Sequence, residues 1–204
     1  MSQLAHSQTQ KTNAFSLMEV LIAIVVLTVG LLAAAALTAK MMSTGQQSKY
    51  MTLASTLASE KLEDINRWDA DDPQVCVPTG STTVGSLSSD ITQTTTCPAP
   101  GSASGTVSYF DDVTLGATSG AFSETVSTTS GGTAQYVTTV HAADGSITTT
   151  TSATAPTAPA TFHRRWIIEA NSPVTGVRRV TVLVTLLDAS VQPTVTFQMS
   201  MVRP

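Results

Sequence analysis

The sequence predicts an α+β fold: one long N-terminal helix, transmembrane and then amphipathic, packed on a C-terminal antiparallel sheet of three or more strands. Three patterns predict it. An apolar run covers 15–39, an amphipathic helical repeat covers 40–68, and apolar residues alternate along 162–204. A helix packed on one face of a sheet lets both elements bury their apolar surface, so the last two patterns imply one layered domain.

Composition excludes several classes of protein. The 204-residue chain has 10 Lys and Arg against 14 Asp and Glu, a formal net charge of −4. A protein dedicated to nucleic acid normally carries a basic excess that neutralises phosphates, so nucleic acid is not expected as a partner. The 2 cysteines are too few for a disulfide scaffold or a four-thiolate zinc site.

The run over 15–39 contains one charged residue, Glu19. As a helix it would be about 37 Å long, which exceeds the membrane's hydrocarbon core of about 30 Å, so this segment can span a membrane. A secretory signal normally has a shorter apolar region of roughly 7 to 15 residues. Because Ala34 and Ala36 also offer a signal-peptidase site, a cleaved signal peptide is the alternative.

A short polar segment, 1–14, precedes this run and ends at Ala14, which is followed by Phe15 and then by Glu19. This order of a polar leader, a small residue, a phenylalanine and an embedded acid resembles the class III signal of type IV pilins and type II secretion pseudopilins. The resemblance implies cleavage by a prepilin peptidase between Ala14 and Phe15, N-methylation of Phe15, and assembly with other pilins. The family usually has Gly at Ala14, and major pilins often have a helix-bending Pro at Ala36.

A carboxylate such as Glu19 costs several kcal/mol within hydrocarbon unless it is neutralised. After cleavage, the α-amino group of Phe15 would lie about one helical turn away. In a staggered stack of helices the amine of one subunit can meet Glu19 of its neighbour, and the resemblance implies that this pairing sets subunit register. The alternative is that Glu19 lies near the helix end and extends to the membrane interface.

Over 40–68 the helical pattern becomes amphipathic. Apolar residues at a spacing of three and four define one face: Tyr50, Leu53, Ala54, Leu57, Ala58, Leu62, Ile65 and Trp68. The pattern places Lys61 on the opposite, polar face. Pro73 cannot extend a helix, so the acid-rich segment 69–73 ends it. The segment 53–68 resembles the matching segment of minor pilins, most closely those of the PilV type, and of pseudopilins more than that of major pilins.

The segment 69–161 contains no Lys or Arg, and about two in five of its residues are Ser or Thr. This composition buries little apolar surface, so we expect a connecting loop with weak strands, including a hairpin over 136–151 that turns at Asp144 and Gly145. Cys76 and Cys97 are expected to form a disulfide in an oxidising exported compartment, contributing about 3 kcal/mol. Two unpaired thiols are the alternative.

Three strands are predicted over 162–204, joined by short turns as an antiparallel meander. The first has Phe162, Trp166, Ile168 and Ala170 on one face and His163, Arg165, Ile167 and Glu169 on the other. The second and third alternate through Val180, Val182, Val184 and Leu186, and through Val195, Phe197, Met199 and Met201. This sheet and the preceding helix agree with the pilin fold that the resemblance implies.

The sequence contains two further candidate sites. Asp69, Asp71 and Asp72, with Asp111 and Asp112, offer oxygen ligands for calcium, although a solvated helix end is the simpler interpretation and no cofactor is expected. Four arginines flank one turn and could form a basic stripe: Arg164, Arg165, Arg178 and Arg179. A solvated strand face that pairs with Glu169 and other acids is favoured over contact with DNA.

These observations favour a structural subunit, a minor pilin of a type IV pilus, held in the inner membrane with its C-terminal domain in the periplasm before assembly at the cell surface. The alternatives are a type II secretion pseudopilin and a signal-anchored periplasmic binding module. An enzyme is not expected, because His6, His141 and His163 have no metal-ligand spacing and no catalytic motif is present.

Overall fold

The computed structural model describes residues 16–97, 104–116, 118, 120–130 and 132–204. The chain divides into two compact units, Met1–Gly45 and Gln46–Pro204. Helix α1, Leu17–Arg67, begins in the first unit and ends in the second. The predicted leader and the cleavage site between Ala14 and Phe15 lie outside the described residues.

The first part of α1 has its apolar side chains exposed. It is long and apolar enough to cross a membrane, and the apolar window of the helix is not buried by any described part of the protein. The hydroxyls of Thr28 and Thr38 donate to the carbonyls of Val25 and Ala34 at 2.8 and 2.9 Å. These polar groups are satisfied within the helix, which makes the segment compatible with lipid.

The second part of α1 packs on a sheet. Its buried residues are Ala54, Leu57, Ala58, Lys61, Leu62 and Ile65, with Tyr50 and Leu53 partly buried beside them. The predicted apolar face is therefore confirmed except at Trp68, which follows the helix and is 43% exposed. The polar position predicted for Lys61 is wrong, because only 8% of this residue is exposed.

The described residues form ten strands: β1 Thr83–Gly85, β2 Thr92–Thr96, β3 Ser104–Ser108, β4 Phe110–Leu115, β5 Phe122–Ser130, β6 Thr133–His141, β7 Ile147–Ser152, β8 Phe162–Ala170, β9 Arg178–Leu186 and β10 Thr196–Arg203. Eight of them form an antiparallel sheet with a main order of β10-β9-β8-β4-β5-β6-β7, and β1 pairs with the second half of β8. A separate two-stranded sheet consists of β2 and β3. The predicted C-terminal meander is β8-β9-β10.

The middle segment contains β1 to β7, so it has more regular structure than the loop with weak strands that its composition predicts. Threonine is β-branched and suits strands without needing an apolar environment. Directly opposed hydroxyls also bond across strands, as in Thr125 to Thr138 at 3.1 Å and Thr139 to Thr149 at 3.2 Å. Cross-strand pairs of this kind stabilise a sheet that buries little apolar surface.

The hairpin predicted around Asp144 and Gly145 is confirmed as β6-β7. Gly145 has a φ of +84°, a conformation that favours glycine. The Asp144 carboxylate accepts hydrogen bonds from the backbone nitrogen and the hydroxyl of Ser146 at 2.9 and 2.7 Å. These two contacts are the usual way in which an aspartate fixes a turn.

The expected disulfide is present between Cys76 and Cys97, and both residues are buried. Cys97 follows β2 directly, so the bond fastens the two-stranded sheet to the segment after α1. One arginine, Arg203, binds backbone carbonyls at the C-terminal end of the helix. Arg203 donates to the carbonyls of Ile65 and Trp68 at 3.0 and 2.8 Å, where positive charge is favourable.

Gly85 tests the packing of β1 on β8. A Cβ atom there would lie 2.3 Å from the carbonyl oxygen of Trp166 and 2.8 Å from the ring of Tyr109. We expect Gly85→Ala to lower the free energy of unfolding of the detergent-solubilised chain by about 1–3 kcal/mol more than Gly80→Ala. Gly80 has a similar positive φ of +87°, and a Cβ atom added there would have no neighbouring atom within 4 Å. Gly80→Ala therefore controls for backbone strain. Equal losses in denaturant titrations would contradict the steric account.

Candidate functional site

The predicted assembly residue Glu19 lies in the first turn of α1 and is exposed. Within the described residues its carboxylate has no hydrogen-bond or ion-pair partner. It lies on one exposed apolar face of the helix together with Val20, Ala23, Ile24 and Leu27. The positive end of the helix dipole favours an acid at this position. Because the side chain is exposed, its carboxylate is accessible to another chain. The arrangement therefore offers an unpaired negative charge on an apolar surface.

A second cluster of charges lies inside the C-terminal unit, between α1 and the sheet. Its centre is Asp111 on β4, whose side chain is fully buried. Arg164 on β8 donates to both carboxylate oxygens of Asp111, from Nε at 2.7 Å and from Nη2 at 2.8 Å. The Lys61 ammonium on α1 lies 2.9 Å from Asp111 Oδ2 and 4.5 Å from the centre of the Trp166 ring. The three charges thus connect helix and sheet.

Three more residues extend this buried cluster. Glu124 on β5 accepts a hydrogen bond from Arg164 and lies 3.6 Å from Lys61 Nζ. Glu60 on α1 has one carboxylate oxygen 3.7 Å from Arg164 Nη1. His141 on β6 lies between the two glutamates, with Nδ1 3.7 Å from Glu60 and Nε2 3.9 Å from Glu124. Hereafter these six residues are called the helix–sheet ion cluster.

Sequence reasoning missed this cluster, although the strand pattern contains a signal for it. Arg164 has the same parity as Phe162 and Trp166 and therefore points to the same buried face. Asp111 shares the buried face of β4 with Val113 in the same way. Buried charges are rare unless they are paired. An arginine and an aspartate at core positions of two strands therefore predict an ion pair between them.

Burial and neighbouring charges shift the pKa values of these groups in opposite directions. Burial alone would raise the pKa of the Asp111 carboxyl, but Arg164 and Lys61 outweigh it and lower that pKa to about 2. At Glu60 burial dominates over the attraction of Arg164 and raises the pKa to about 7. Asp111 is therefore ionised at neutral pH, whereas Glu60 exchanges its proton near neutrality.

On the opposite face of the sheet, polar groups form a separate network. His163 has Nδ1 2.6 Å from Asp112 and Nε2 2.8 Å from Asp90. The hydrogen bond to Asp112 raises the pKa of His163, against the opposing effect of burial. Arg165 donates to Asp90 at 2.7 Å. On the same face Arg179 pairs with Glu169, which confirms the ion pair expected between Glu169 and a strand arginine.

The four arginines do not form a basic stripe, because Arg164 is 0% exposed and Arg165 lies on the opposite face of the sheet. The expectation of a solvated face holds for Arg179, which donates to Glu169 from two nitrogens at 2.7 and 2.9 Å, but fails for Arg164. Asp111 is not available as a calcium ligand, since both its carboxylate oxygens are bound by cations.

A family model for the prokaryotic N-terminal methylation motif matches residues 9–35. Comparison with curated proteins and with solved structures found no match. The motif and the long apolar helix support a type IV pilin-like or pseudopilin-like protein. The motif also implies interaction with a prepilin peptidase and with other pilins, and it fits membrane anchoring followed by assembly.

Removing the central carboxylate should leave two buried cations without their main partner. We expect Asp111→Asn to lower the free energy of unfolding by about 3–5 kcal/mol, the usual effect of breaking a buried ion pair. The adjacent Asp112→Asn is the matched control, since 46% of the Asp112 side chain is exposed, and it should cost less than about 1 kcal/mol. Similar losses for both variants in denaturant titrations would show that the cluster is not energetically central.

The pKa of Glu60 predicts a pH dependence. Because the pKa of about 7 in the folded state exceeds the ordinary glutamate pKa of 4.5, protonated Glu60 contributes stability that is complete below about pH 4.5 and lost as the pH rises through 7. Glu60→Gln removes this dependence, so its melting temperature relative to the parent should increase from pH 5.5 to pH 8.5. The exposed Glu63→Gln on the same helix should show a constant difference, and a constant difference for Glu60→Gln would contradict the assignment.

Proposed function

We propose that this protein is a structural subunit, a minor pilin of a type IV pilus, held in the inner membrane and assembled through its N-terminal helix. The observation that carries the proposal is the coincidence of the methylation motif at 9–35 with an exposed apolar helix of membrane-spanning length. In lipid the helix satisfies its own backbone hydrogen bonds. In a filament the same apolar surface packs against the helices of neighbouring subunits.

Glu19 supplies specificity that apolar packing lacks. Apolar contacts are non-directional, so helices in a bundle could slide along one another. The exposed Glu19 carboxylate and the new α-amino group of Phe15 in a neighbouring subunit would form an ion pair at one register only. That pair would be shielded by apolar side chains, where opposite charges attract more strongly than in water.

The minor-subunit assignment rests on two features. α1 runs without interruption through Ala36, where major pilins often have a helix-bending Pro. The segment after the helix is also long and adds β1 to β7 before the C-terminal meander. Before assembly the C-terminal unit would lie in the periplasm, the compartment in which the disulfide between Cys76 and Cys97 forms readily.

Processing tests the proposal directly. The intact mass and N-terminal sequence of the membrane-associated protein are compared in cells with active and inactive prepilin peptidase. We expect the mature chain to begin at N-methylated Phe15, and only when the peptidase is active. A start between Ala34 and Lys40, independent of the peptidase, would instead indicate an ordinary signal peptide and would exclude assembly through the helix.

Filament content distinguishes a pilus from a secretion pseudopilus. Sheared surface filaments are quantified for this protein against their main subunit by mass spectrometry. A minor pilin should be present in far less than equal amount. Absence from surface filaments, together with loss of type II secretion when the gene is deleted, would favour the pseudopilin alternative.

The role of Glu19 predicts an assembly defect without a membrane defect. Because tenfold corresponds to about 1.4 kcal/mol, loss of a shielded ion pair in Glu19→Ala should lower filament incorporation by roughly tenfold or more. Membrane insertion should be unchanged, since the substitution makes the helix more apolar. Glu63→Ala, an exposed acid later in α1, is the control. Normal incorporation of Glu19→Ala would exclude the pairing.

A further inference from the structure

The helix–sheet ion cluster does not balance its charges. Two permanent cations, Lys61 and Arg164, face three carboxylates. Asp111 is bound by both cations, and Glu124 accepts a hydrogen bond from Arg164. The cluster therefore has one more carboxylate than it has Lys and Arg side chains. This excess lies at the end of the cluster that Glu60 and His141 form.

At that end two polar atoms are withdrawn from solvent and lack a hydrogen bond within the described residues. They are Glu60 Oε2 and His141 Nε2. Their nearest charged neighbours are too distant to serve, since Glu60 Oε2 lies 3.7 Å from Arg164 and His141 Nε2 lies 3.9 Å from Glu124. A buried carboxylate oxygen or imidazole nitrogen without a hydrogen-bond partner is costly unless another group binds it.

We propose that Glu60, Glu124 and His141 bind a divalent transition-metal ion of the zinc type. One ligand atom from each residue can be chosen such that all three lie within 4.8 Å of one another. Bonds of about 2.1 Å in a tetrahedral site place the ligand atoms about 3.4 Å apart. The distance between His141 Nε2 and Glu124 Oε2 is 3.9 Å and needs to close by about 0.5 Å. Glu60 Oε1 lies 3.7 Å from the other ring nitrogen, Nδ1, so binding through Nε2 also requires the Glu60 carboxylate to turn toward that atom. A water molecule would complete the four ligands.

The ligand set selects the ion. One imidazole nitrogen with two carboxylates suits Zn²⁺, whereas Ca²⁺ and Mg²⁺ prefer oxygen ligands alone and a larger number of them. The imidazole is already held in place, because its ring stacks on Phe122 with centroids 4.4 Å apart and planes 8° from parallel. Lys61 and Arg164 lie close to the same carboxylates, and their positive charges weaken the binding of a cation there.

The bound ion would connect three elements that are distant in sequence. Glu60 belongs to α1, Glu124 to β5 and His141 to β6. The ion pair of Asp111 and Arg164 fastens β4 to β8, so the metal would extend the attachment of the helix toward the threonine-rich strands. A ligand that binds only the folded state stabilises it, which gives the proposal a readout independent of pilus assembly.

The test uses the full chain, purified in detergent without a histidine tag and freed of metal by EDTA. Zn²⁺ is titrated at pH 7.5 by calorimetry, with Mg²⁺ as the comparison ion, and the melting temperature is measured with each. We expect one Zn²⁺ per chain, a melting temperature raised by several degrees, and no effect of Mg²⁺. No binding at 1 mM Zn²⁺ would overturn the proposal.

Variants locate the ion. His141→Gln and Glu60→Gln should each weaken Zn²⁺ binding at least tenfold, whereas His163→Gln, on the opposite face of the sheet, should leave it unchanged. Unchanged binding in His141→Gln would assign the ion to another site and overturn the proposal. If His141→Gln fails to fold, Co²⁺ bound to the parent chain provides the readout. A visible spectrum of a four-coordinate ion that Zn²⁺ abolishes supports the site, and a six-coordinate spectrum contradicts it.

Discussion

The C-terminal unit depends on the burial of Asp111 between Arg164 and Lys61. Each of these charges would be too costly to bury alone, and together they connect β4, β8 and α1 at one point. The arrangement fixes which face of the helix meets the sheet, because rotating α1 would remove Lys61 from Asp111. Apolar residues such as Leu57 and Ile65 supply burial, but apolar contacts alone tolerate such shifts far more readily.

The single helix α1 has two chemical environments along its length, and the boundary agrees with the proposed function. Up to about Met42 its apolar side chains are exposed, as a segment for lipid or for other helices requires. From Ala54 onward one face is buried on the sheet, and the exposed face is polar. Glu19 lies on the exposed apolar part of the helix, whereas Lys61 lies in the helix–sheet ion cluster. Lys61 has its partner within the chain, and Glu19 has none among the described residues.

The periodicity of the sequence predicts the helix and the strands but not the ion pairs and hydrogen bonds that connect them. The long helix, the meander β8-β9-β10 and the turn at Gly145 follow from local patterns, and each was confirmed. The threonine-rich strands were underestimated because cross-strand pairs such as Thr125 and Thr138 depend on register, which composition does not contain. The helical pattern predicts the wrong face for Lys61 because a charged side chain ordinarily prefers solvent. Only the distant Asp111 makes its burial favourable, and their approach is a property of the tertiary fold.

A double-mutant cycle between Lys61 and Asp111 tests this account most directly. Lys61→Met, Asp111→Asn and the double variant are compared with the parent by denaturant unfolding of the detergent-solubilised chain. If the pair fixes helix to sheet, the double variant should lose less stability than the sum of the single losses, with a coupling of about 1–3 kcal/mol. Additive losses would contradict the account, because they would show that helix and sheet are held together by apolar packing alone.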